Sequence, residues 1–271
     1  MTLPVSLWSD WSSLRGRVLR ARRLFLALDY DGTLTRIVRH PDQARLDPAV
    51  RRTLRLLAAR PDCFLALVSG RGLRDLQGKV RVPGLWLVGN HGLQIEGPGH
   101  RVLHPAARRA QRAIGRIRTD LERVLAPVPG AWVENKRWTL TVHDREVPAA
   151  RRAEVRRIVR RLAGPAAREG EVRITAGKRV LEIRPPVRWT KGEAVAWLLK
   201  RARAEEAASV LRLYAGDDRT DEDAFRTLGR RNVTVVIGSA AGRSRARYRL
   251  RGPADLHRFL KRLLALREHG E

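Results

Sequence analysis

The chain has 271 residues, 43% hydrophobic and 31% charged, a composition that excludes an intrinsically disordered polypeptide. One cysteine, Cys63, excludes a disulfide framework, a cysteine zinc site and an iron–sulfur cluster, and no stretch approaches the roughly 18 apolar residues of a membrane span. Fifty-six basic residues against 28 acidic ones give a formal charge of +28, which makes any gathering of carboxylates an exception that needs a cause.

In chain order, Leu24–Leu28 is the first short apolar run; it predicts a buried strand and ends in Asp29-Tyr30-Asp31-Gly32-Thr33-Leu34. Pro48–Ala59 has the spacing of an amphipathic helix. Phe64–Val68 predicts a second strand, ending in Ser69-Gly70-Arg71, and Leu85–Val88 a third, ending in Gly89-Asn90-His91-Gly92. Cys63 sits in an apolar run and reads as core.

The middle third breaks this rhythm. A helical pattern over Ala106–Glu122 precedes alternating strands at Trp132–Asn135 and Trp138–His143, a second helix at Pro148–Ala163, and a strand pair at Val172–Thr175 and Arg179–Ile183. The order αββαββ predicts a small α+β sheet inserted into the main fold, with Gly97-Pro98-Gly99 and Pro185-Pro186 as hinge segments.

Strand–helix alternation then resumes: helix Lys191–Glu206, strand Val210–Ala215, the run Gly216-Asp217-Asp218-Arg219-Thr220-Asp221, helix Asp221–Leu228 and strand Val233–Ile237. The spacing of Leu256, Phe259, Leu260, Leu263 and Leu264 predicts a packing helix. Five parallel strands with helices between them imply a doubly wound α/β core, whose ligand crevice lies beyond the carboxyl ends of the strands. The expected organisation is core over residues 1–105, inserted domain over 106–184 and core again over 185–271.

The polar punctuation falls at those strand ends. Asp29 and Asp31 stand two residues apart, and Gly32 lets the backbone turn there. Such a pair suits phosphoryl transfer, one carboxylate attacking phosphorus while the other protonates the leaving alkoxide, although Asp-Gly is also ordinary turn chemistry. Ser69 and the amides after it suit a phosphoryl oxygen, or a helix cap. Lys191 stands at a helix start, where the dipole already favours anions, so an anion nearby would account for it. One of the residues Asp217–Asp221 can cap the following helix, but three carboxylates exceed that need; Asp217 and Asp218 are candidate ligands of a hard divalent ion, with Asp221 orienting them.

Taken in order, Asp29-Tyr30-Asp31-Gly32-Thr33, Ser69-Gly70-Arg71, Lys191 and Gly216 to Phe225 resemble the four motifs of haloacid dehalogenase-like phosphatases. Within that superfamily the chain resembles the trehalose-6-phosphate phosphatases, through Gly216 to Phe225, Gly89-Asn90-His91-Gly92, Val133-Glu134-Asn135-Lys136, His143-Asp144-Arg145 and Val180 to Pro185. The likeness spans Leu24 to Leu264. It implies Asp29 as nucleophile, Asp31 as general acid and base, and Ser69 and Lys191 as grips on the phosphoryl group. It further implies Mg2+ held by Asp29, the Asp31 carbonyl and Asp217, while Asp218, on the residues alone, could complete the shell directly or through water. The αββαββ insertion resembles the family's cap, whose Glu134, Lys136, His143, Arg145, Glu182 and Arg184 would meet the sugar; Arg71 and Asn90 are further candidates for substrate contact, and His91 for a structural or a sugar-facing role. Asp144 departs from the family pattern, where an aromatic residue is common, and so does Thr190, where Asp or Asn is common.

The expected protein is therefore a cytoplasmic, monomeric, Mg2+-dependent hydrolase of trehalose 6-phosphate, acting through an aspartyl-phosphate. Rival substrates are sucrose 6-phosphate and mannosyl-3-phosphoglycerate, because the core motifs do not select the sugar. A rival of another class is a basic nucleic-acid-binding protein. Fifty of the 56 basic residues are arginines spread over most of the chain, with 5% aromatic residues to stack on bases, so nucleic acid is not the expected partner, whereas steering of an anionic substrate is.

Overall fold

The computed structural model describes residues 1–177, 179–204, 209–238 and 242–268, and contains two compact units: Met1–Arg101 with Trp189–Glu271, and Val102–Arg188. The first unit is built on a nine-stranded sheet. Its strands are β1 (Val5–Ser6), β2 (Arg23–Leu28), β3 (Cys63–Val68), β4 (Trp86–Gly89), β5 (Gln94–Gly97), β6 (His100–Leu103, which runs across the boundary), β11 (Val210–Gly216), β12 (Val233–Ile237) and β13 (Tyr248–Leu250). Their order is β1-β13-β12-β11-β2-β3-β4-β5-β6. Every pair from β1 to β4 in that order is parallel, and β4–β5 is antiparallel.

The five strands anticipated from apolar runs form one contiguous block, β12-β11-β2-β3-β4. They are near-continuously apolar because helices cover both faces of a parallel sheet. The strands that no apolar run announced lie outside that block: β1 has two residues, β13 has three with Arg249 exposed, and β5 and β6 carry polar residues. The expected hinge at Gly97-Pro98-Gly99 is instead the tight connection from β5 to β6, with Gly99 at φ 70°.

The helices of this unit are α1 (Trp11–Arg20), α2 (Pro48–Ala59), α3 (Leu73–Val80), α6 (Lys191–Arg201), α7 (Asp221–Leu228) and α8 (Pro253–Glu268). Helix α6 ends at Arg201, short of the expected Glu206; Glu205 and Glu206 lie outside the described residues. Helix α2 starts cleanly because Asp47 accepts the Ala49 N–H at 2.7 Å and Pro48 needs no N–H partner. The inward faces of α1, α2, α3 and α8, with Leu14, Leu54, Leu76 and Phe259, join Leu24, Leu26 and Leu28 of β2 in one core cluster. Helix α8 is also pinned by charge: Arg267 Nε donates to Asp62 Oδ2 at 2.8 Å and Nη1 to the Ala21 carbonyl at 2.6 Å.

The second unit is a four-stranded antiparallel sheet, order β7-β8-β10-β9, with β7 (Trp132–Asn135), β8 (Leu140–His143), β9 (Arg173–Gly177) and β10 (Val180–Arg184). Helices α4 (Pro105–Leu125) and α5 (Arg152–Arg168) supply Ile114, Ile117, Leu121, Val155 and Val159 to a core with Leu140, Val142, Leu181 and Ile183 of the sheet. Successive side chains on a strand alternate faces. Trp132, Glu134, Thr141, His143, Arg173, Thr175, Glu182 and Arg184 therefore lie on the opposite face. The unit begins four residues before and ends four residues after the expected 106–184. Asp144, where the family pattern has an aromatic residue, is buried and takes a 3.0 Å bond from Arg156 Nε, tying the end of β8 to α5.

Candidate active site

Strands β2 and β11 are neighbours in register, Leu28 opposite Ala215, and the Asp29 N–H donates to the Ala215 carbonyl at 2.8 Å. This pairing puts Asp29 beside the Gly216-Asp217 turn, although 188 positions separate Asp29 and Asp217. Gly32, at φ 80°, completes the fit: a Cβ there would fall 2.1 Å from an Asp217 carboxylate oxygen, so only glycine leaves room for that side chain. Thr33 donates to Asp217 Oδ1 at 3.2 Å.

Lys191 reaches the same place from α6. Thr190 caps that helix, accepting from the Gly192 N–H at 3.1 Å, while Glu193 accepts from the Thr190 N–H at 2.7 Å in a reciprocal capping box. The next side chain turns inward, and its ammonium is 2.7 Å from both Asp29 Oδ1 and Asp221 Oδ1. Asp221 is completely buried. Besides Lys191 it accepts from Tyr214 Oη at 2.6 Å and from the Asp218 N–H at 2.9 Å. The anion that accounts for a lysine at a helix start is therefore this carboxylate pair.

Charge crowding follows from the geometry. Burial pushes the Asp29 carboxyl well above the ordinary range; the Lys191 charge opposes this, and the nearby Asp221 and Asp217 charges reinforce it. Asp217 is pushed up to about 6 by burial and then by the charge of Asp221. Burial alone would depress Lys191, but the charges of Asp221 and Asp29 outweigh it and hold the ammonium above the ordinary lysine value.

One carboxylate oxygen each from Asp29, Asp217 and Asp221 lies within 4.8 Å of the other two. These donors are all hard anionic oxygens, a set that fits a hard divalent cation and not a soft one. Asp31 and Asp218 are outside this group. The Asp31 carboxylate takes both arms of a guanidinium, Arg71 Nε at 2.6 Å and Nη2 at 2.7 Å. Asp218 points outward, exposed, and contributes its backbone N–H to Asp221.

Arg71 itself is buried, and its remaining bonds go to Asp75 at 2.6 Å and the Pro41 carbonyl at 2.8 Å. These contacts make it a support for Asp31. Ser69 is buried at the end of β3, and its Oγ accepts the Arg71 N–H at 3.1 Å. Asn90 and His91 lie against this loop, donating their N–H groups to the Arg71 and Ser69 carbonyls at 2.7 and 3.0 Å.

In the second unit Glu134 gathers two predicted partners: His143 Nε2 at 3.0 Å and Lys136 Nζ at 3.6 Å. The His143 ring stacks on Trp132, centroids 3.8 Å apart and planes within 2°. Glu182 and Arg184 pair at 3.8 Å on the same face, whereas Arg145 is exposed in the segment after β8. Other tryptophans pack: Trp138 is buried, Trp189 donates to the Gly92 carbonyl at 2.9 Å, and Trp197 meets Trp86 at 5.7 Å.

Three residues of the two clusters, Asp75, Thr141 and Thr175, were not singled out from sequence, and a fourth, Asp221, was given another role. Asp75 holds Arg71 from one helical turn ahead, a spacing visible once α3 is known. Thr141 and Thr175 sit opposite Glu182 in the register of β8 and β9, which alternation along those strands could have shown. Asp221, expected to orient the metal ligands, is the second partner of Lys191; its position one turn after Asp217 carried that information.

The parallel sheet, the strand-end carboxylates and the lysine define a haloacid dehalogenase-like phosphatase fold. The C-terminal domain of Candida albicans trehalose-6-phosphate phosphatase superposes with a TM-score of 0.81 at 24% identity, over 97% of this chain and 99% of that one. A trehalose-6-phosphate phosphatase from Aspergillus fumigatus gives 0.65 at 29% identity, over 97% and 99%. The trehalose-phosphatase family model matches residues 27–254, and the chain belongs to that family. A Mycobacterium tuberculosis trehalose-phosphate phosphatase is 37% identical over 249 residues, 90% of this chain and 62% of the relative. Trehalose-phosphate phosphatase B of Arabidopsis thaliana is 34% identical over 256 residues, 90% of this chain and 67% of the relative. The chain thus spans about 62% of the length of the mycobacterial relatives it matches.

Proposed function

We propose that this protein is a Mg2+-dependent phosphomonoesterase that hydrolyses trehalose 6-phosphate to trehalose and phosphate, in the cytoplasm and as a monomer. The observation that carries the reading is Asp29 at the end of β2, buried, bonded to the Lys191 ammonium and flanked by Asp217 and Asp221. The names of its relatives support the choice of sugar.

In this reading an Asp29 Oδ attacks phosphorus, the bond from phosphorus to the sugar oxygen breaks, and the departing alkoxide takes a proton from Asp31. The Asp31 carboxylate then takes a proton from water, whose oxygen attacks the aspartyl-phosphate and frees Asp29 and inorganic phosphate. Lys191 and Ser69 hold the transferring group, and the Lys191 charge offsets the negative charge that gathers there. Asp29, Asp217 and the Asp31 carbonyl would hold Mg2+, which when bound neutralises charge on the phosphoryl oxygens. Arg71 fixes the Asp31 carboxylate before substrate arrives, so protonation of the leaving group requires this bidentate contact to loosen. The polar sheet face of the second unit supplies hydroxyl-binding groups, Glu134 and Lys136 foremost.

A screen of trehalose, sucrose and other sugar phosphates with Mg2+, alongside Asp29→Asn, tests the reading. Wild-type protein is expected to prefer trehalose 6-phosphate and to lose turnover on chelation. Asp29→Asn keeps the side-chain shape but removes the nucleophile, so turnover should fall by about a thousandfold or more. Near-normal turnover by this variant would refute the assignment.

A further inference from the structure

We infer that the turn Gly89-Asn90-His91-Gly92 is a positioning element that sets the Ser69–Arg71 loop against the Lys191 end of α6, with the His91 ring as its lock. The inference rests on the reading of Ser69 and Lys191 as the groups that hold the phosphoryl. It adds how those groups, 122 positions apart in the chain, are kept in fixed relation.

Asn90 and His91 have φ values of 51° and 55°, two consecutive side-chain-bearing residues in the left-handed region. Such residues persist where the surroundings over-determine them, and they concentrate at functional sites. The turn joining antiparallel β4 and β5, closed by the Leu93 N–H on the Asn90 carbonyl at 3.3 Å, itself asks for positive φ at His91 and Gly92, but it asks for no side chain there, and glycine would adopt the His91 angles freely. The surroundings here are the phosphate loop on one side. The Asn90 and His91 N–H groups donate to the Arg71 and Ser69 carbonyls, Ser69 N–H donates to the Val88 carbonyl at 2.9 Å, and Asn90 Nδ2 donates to Gln94 Oε1 at 2.8 Å.

The His91 ring lies directly over Gly70. A Cβ at Gly70 would stand 2.5 Å from His91 Cε1 and 2.6 Å from Nε2. Gly70 is not in the left-handed region, so its backbone would accept alanine and the imidazole alone requires glycine there. On the other side, Trp189 Nε1 donates to the Gly92 carbonyl, and a Cβ at Gly92 would stand 2.7 Å from that nitrogen and 3.0 Å from Ala194 Cβ. Trp189 leads through Thr190 into Lys191. One strained turn thus touches the loop that carries Ser69 and the helix start that carries Lys191. His91 acts through these neighbours, as a positioning residue.

The experiment compares wild type, His91→Gly, Gly70→Ala and the double variant in the full chain. It reads the thermal midpoint, kcat and KM on an aryl phosphate with Mg2+, and the affinity for inorganic phosphate by calorimetry. Glycine relaxes the left-handed strain, so His91→Gly should melt no lower than wild type; yet its KM and phosphate dissociation constant should rise about tenfold, the scale of a small misplacement of binding groups. Gly70→Ala should weaken phosphate binding similarly. The double variant should recover most of that loss, because the new methyl group fills the space the ring has left. Wild-type phosphate affinity in His91→Gly, or losses in the double variant that multiply as independent effects, would overturn the inference. Absence of turnover in the wild type would count against the proposed function instead, with phosphate affinity still reporting on the turn.

Discussion

The Asp221 carboxylate lies 2.7 Å from the Lys191 ammonium in a fully buried setting, and it also accepts from Tyr214 and the Asp218 backbone. Burying an ammonium is costly unless it is paired and bonded. Asp221 therefore permits Lys191 to remain charged beside Asp29 without Asp29 supplying all of the compensating charge.

Asp221→Asn is expected to destabilise the protein by about 3 kcal/mol, the scale of breaking a buried ion pair, and to lower kcat because Lys191 then binds Asp29 more firmly. Tyr214→Phe removes one hydrogen bond to the same carboxylate, at about 1 kcal/mol, and leaves the charges alone. Its turnover should stay close to wild type. Urea unfolding and initial rates on both variants check the pair; equal catalytic losses would show that the Tyr214 hydrogen bond to Asp221, and not the Asp221 charge, matters.

Asp62 bears on acid stability. Burial alone would raise its pKa, but hydrogen bonds from Arg267 and Arg60, and their charges, outweigh it and lower the carboxyl below its ordinary value of 3.8. Because the folded value is the depressed one, the stabilisation is complete above that ordinary value and disappears as pH falls through the folded value. Asp62→Asn should cost about 1 kcal/mol at neutral pH, and the gap from wild type should close only below about pH 4. Denaturant midpoints across pH 2–7 measure it. A gap constant down to pH 2 would mean that the loss is one of packing at the α8 contact.

Much of the core was legible because its strands are buried on both faces and its polar residues are confined to strand ends; a run such as Leu24–Leu28 followed by Asp29 shows both facts in six residues. The pairing of β2 with β11 could be inferred only as the condition for Asp29 to meet Asp217, since register leaves no mark in a uniformly apolar run. Lys191 was legible as an electrostatic misfit at a helix start. Its partner Asp221 was harder to read, because an aspartate in a first turn has an ordinary capping explanation. Arg71 was read as facing substrate because motif position does not reveal rotamer, and its buried contacts with Asp31 and Asp75 depend on α3, whose pattern was not singled out.

Cys63 offers a chemical probe of β3. Burial, then the charge of Asp62, pushes its thiol up to about 12, so little thiolate exists at pH 8 and alkylation should be slow in the native protein. Unfolding returns it toward ordinary reactivity. Iodoacetamide labelling with and without denaturant is expected to differ by at least about a hundredfold; comparable rates would place the start of β3 in open exchange with solvent.

Substitution of Glu134 tests whether sugar recognition separates from phosphate chemistry. On its strand it alternates with core-facing Val133, which puts it on the polar face, where His143 and Lys136 hold its carboxylate. A carboxylate so braced has fixed lone pairs to offer sugar hydroxyls, and its removal also takes a counter-charge from the Lys136 ammonium. Glu134→Ala is therefore expected to lower kcat/KM for trehalose 6-phosphate by about one to two orders of magnitude, while an aryl phosphate, which has no hydroxyls to present, falls less than about threefold. Parallel kinetics on the two substrates decide it. An equal loss on both would assign Glu134 to the architecture of the second unit, and a loss on neither would move sugar recognition to other residues of that face, with Thr141 and Thr175 the next to substitute.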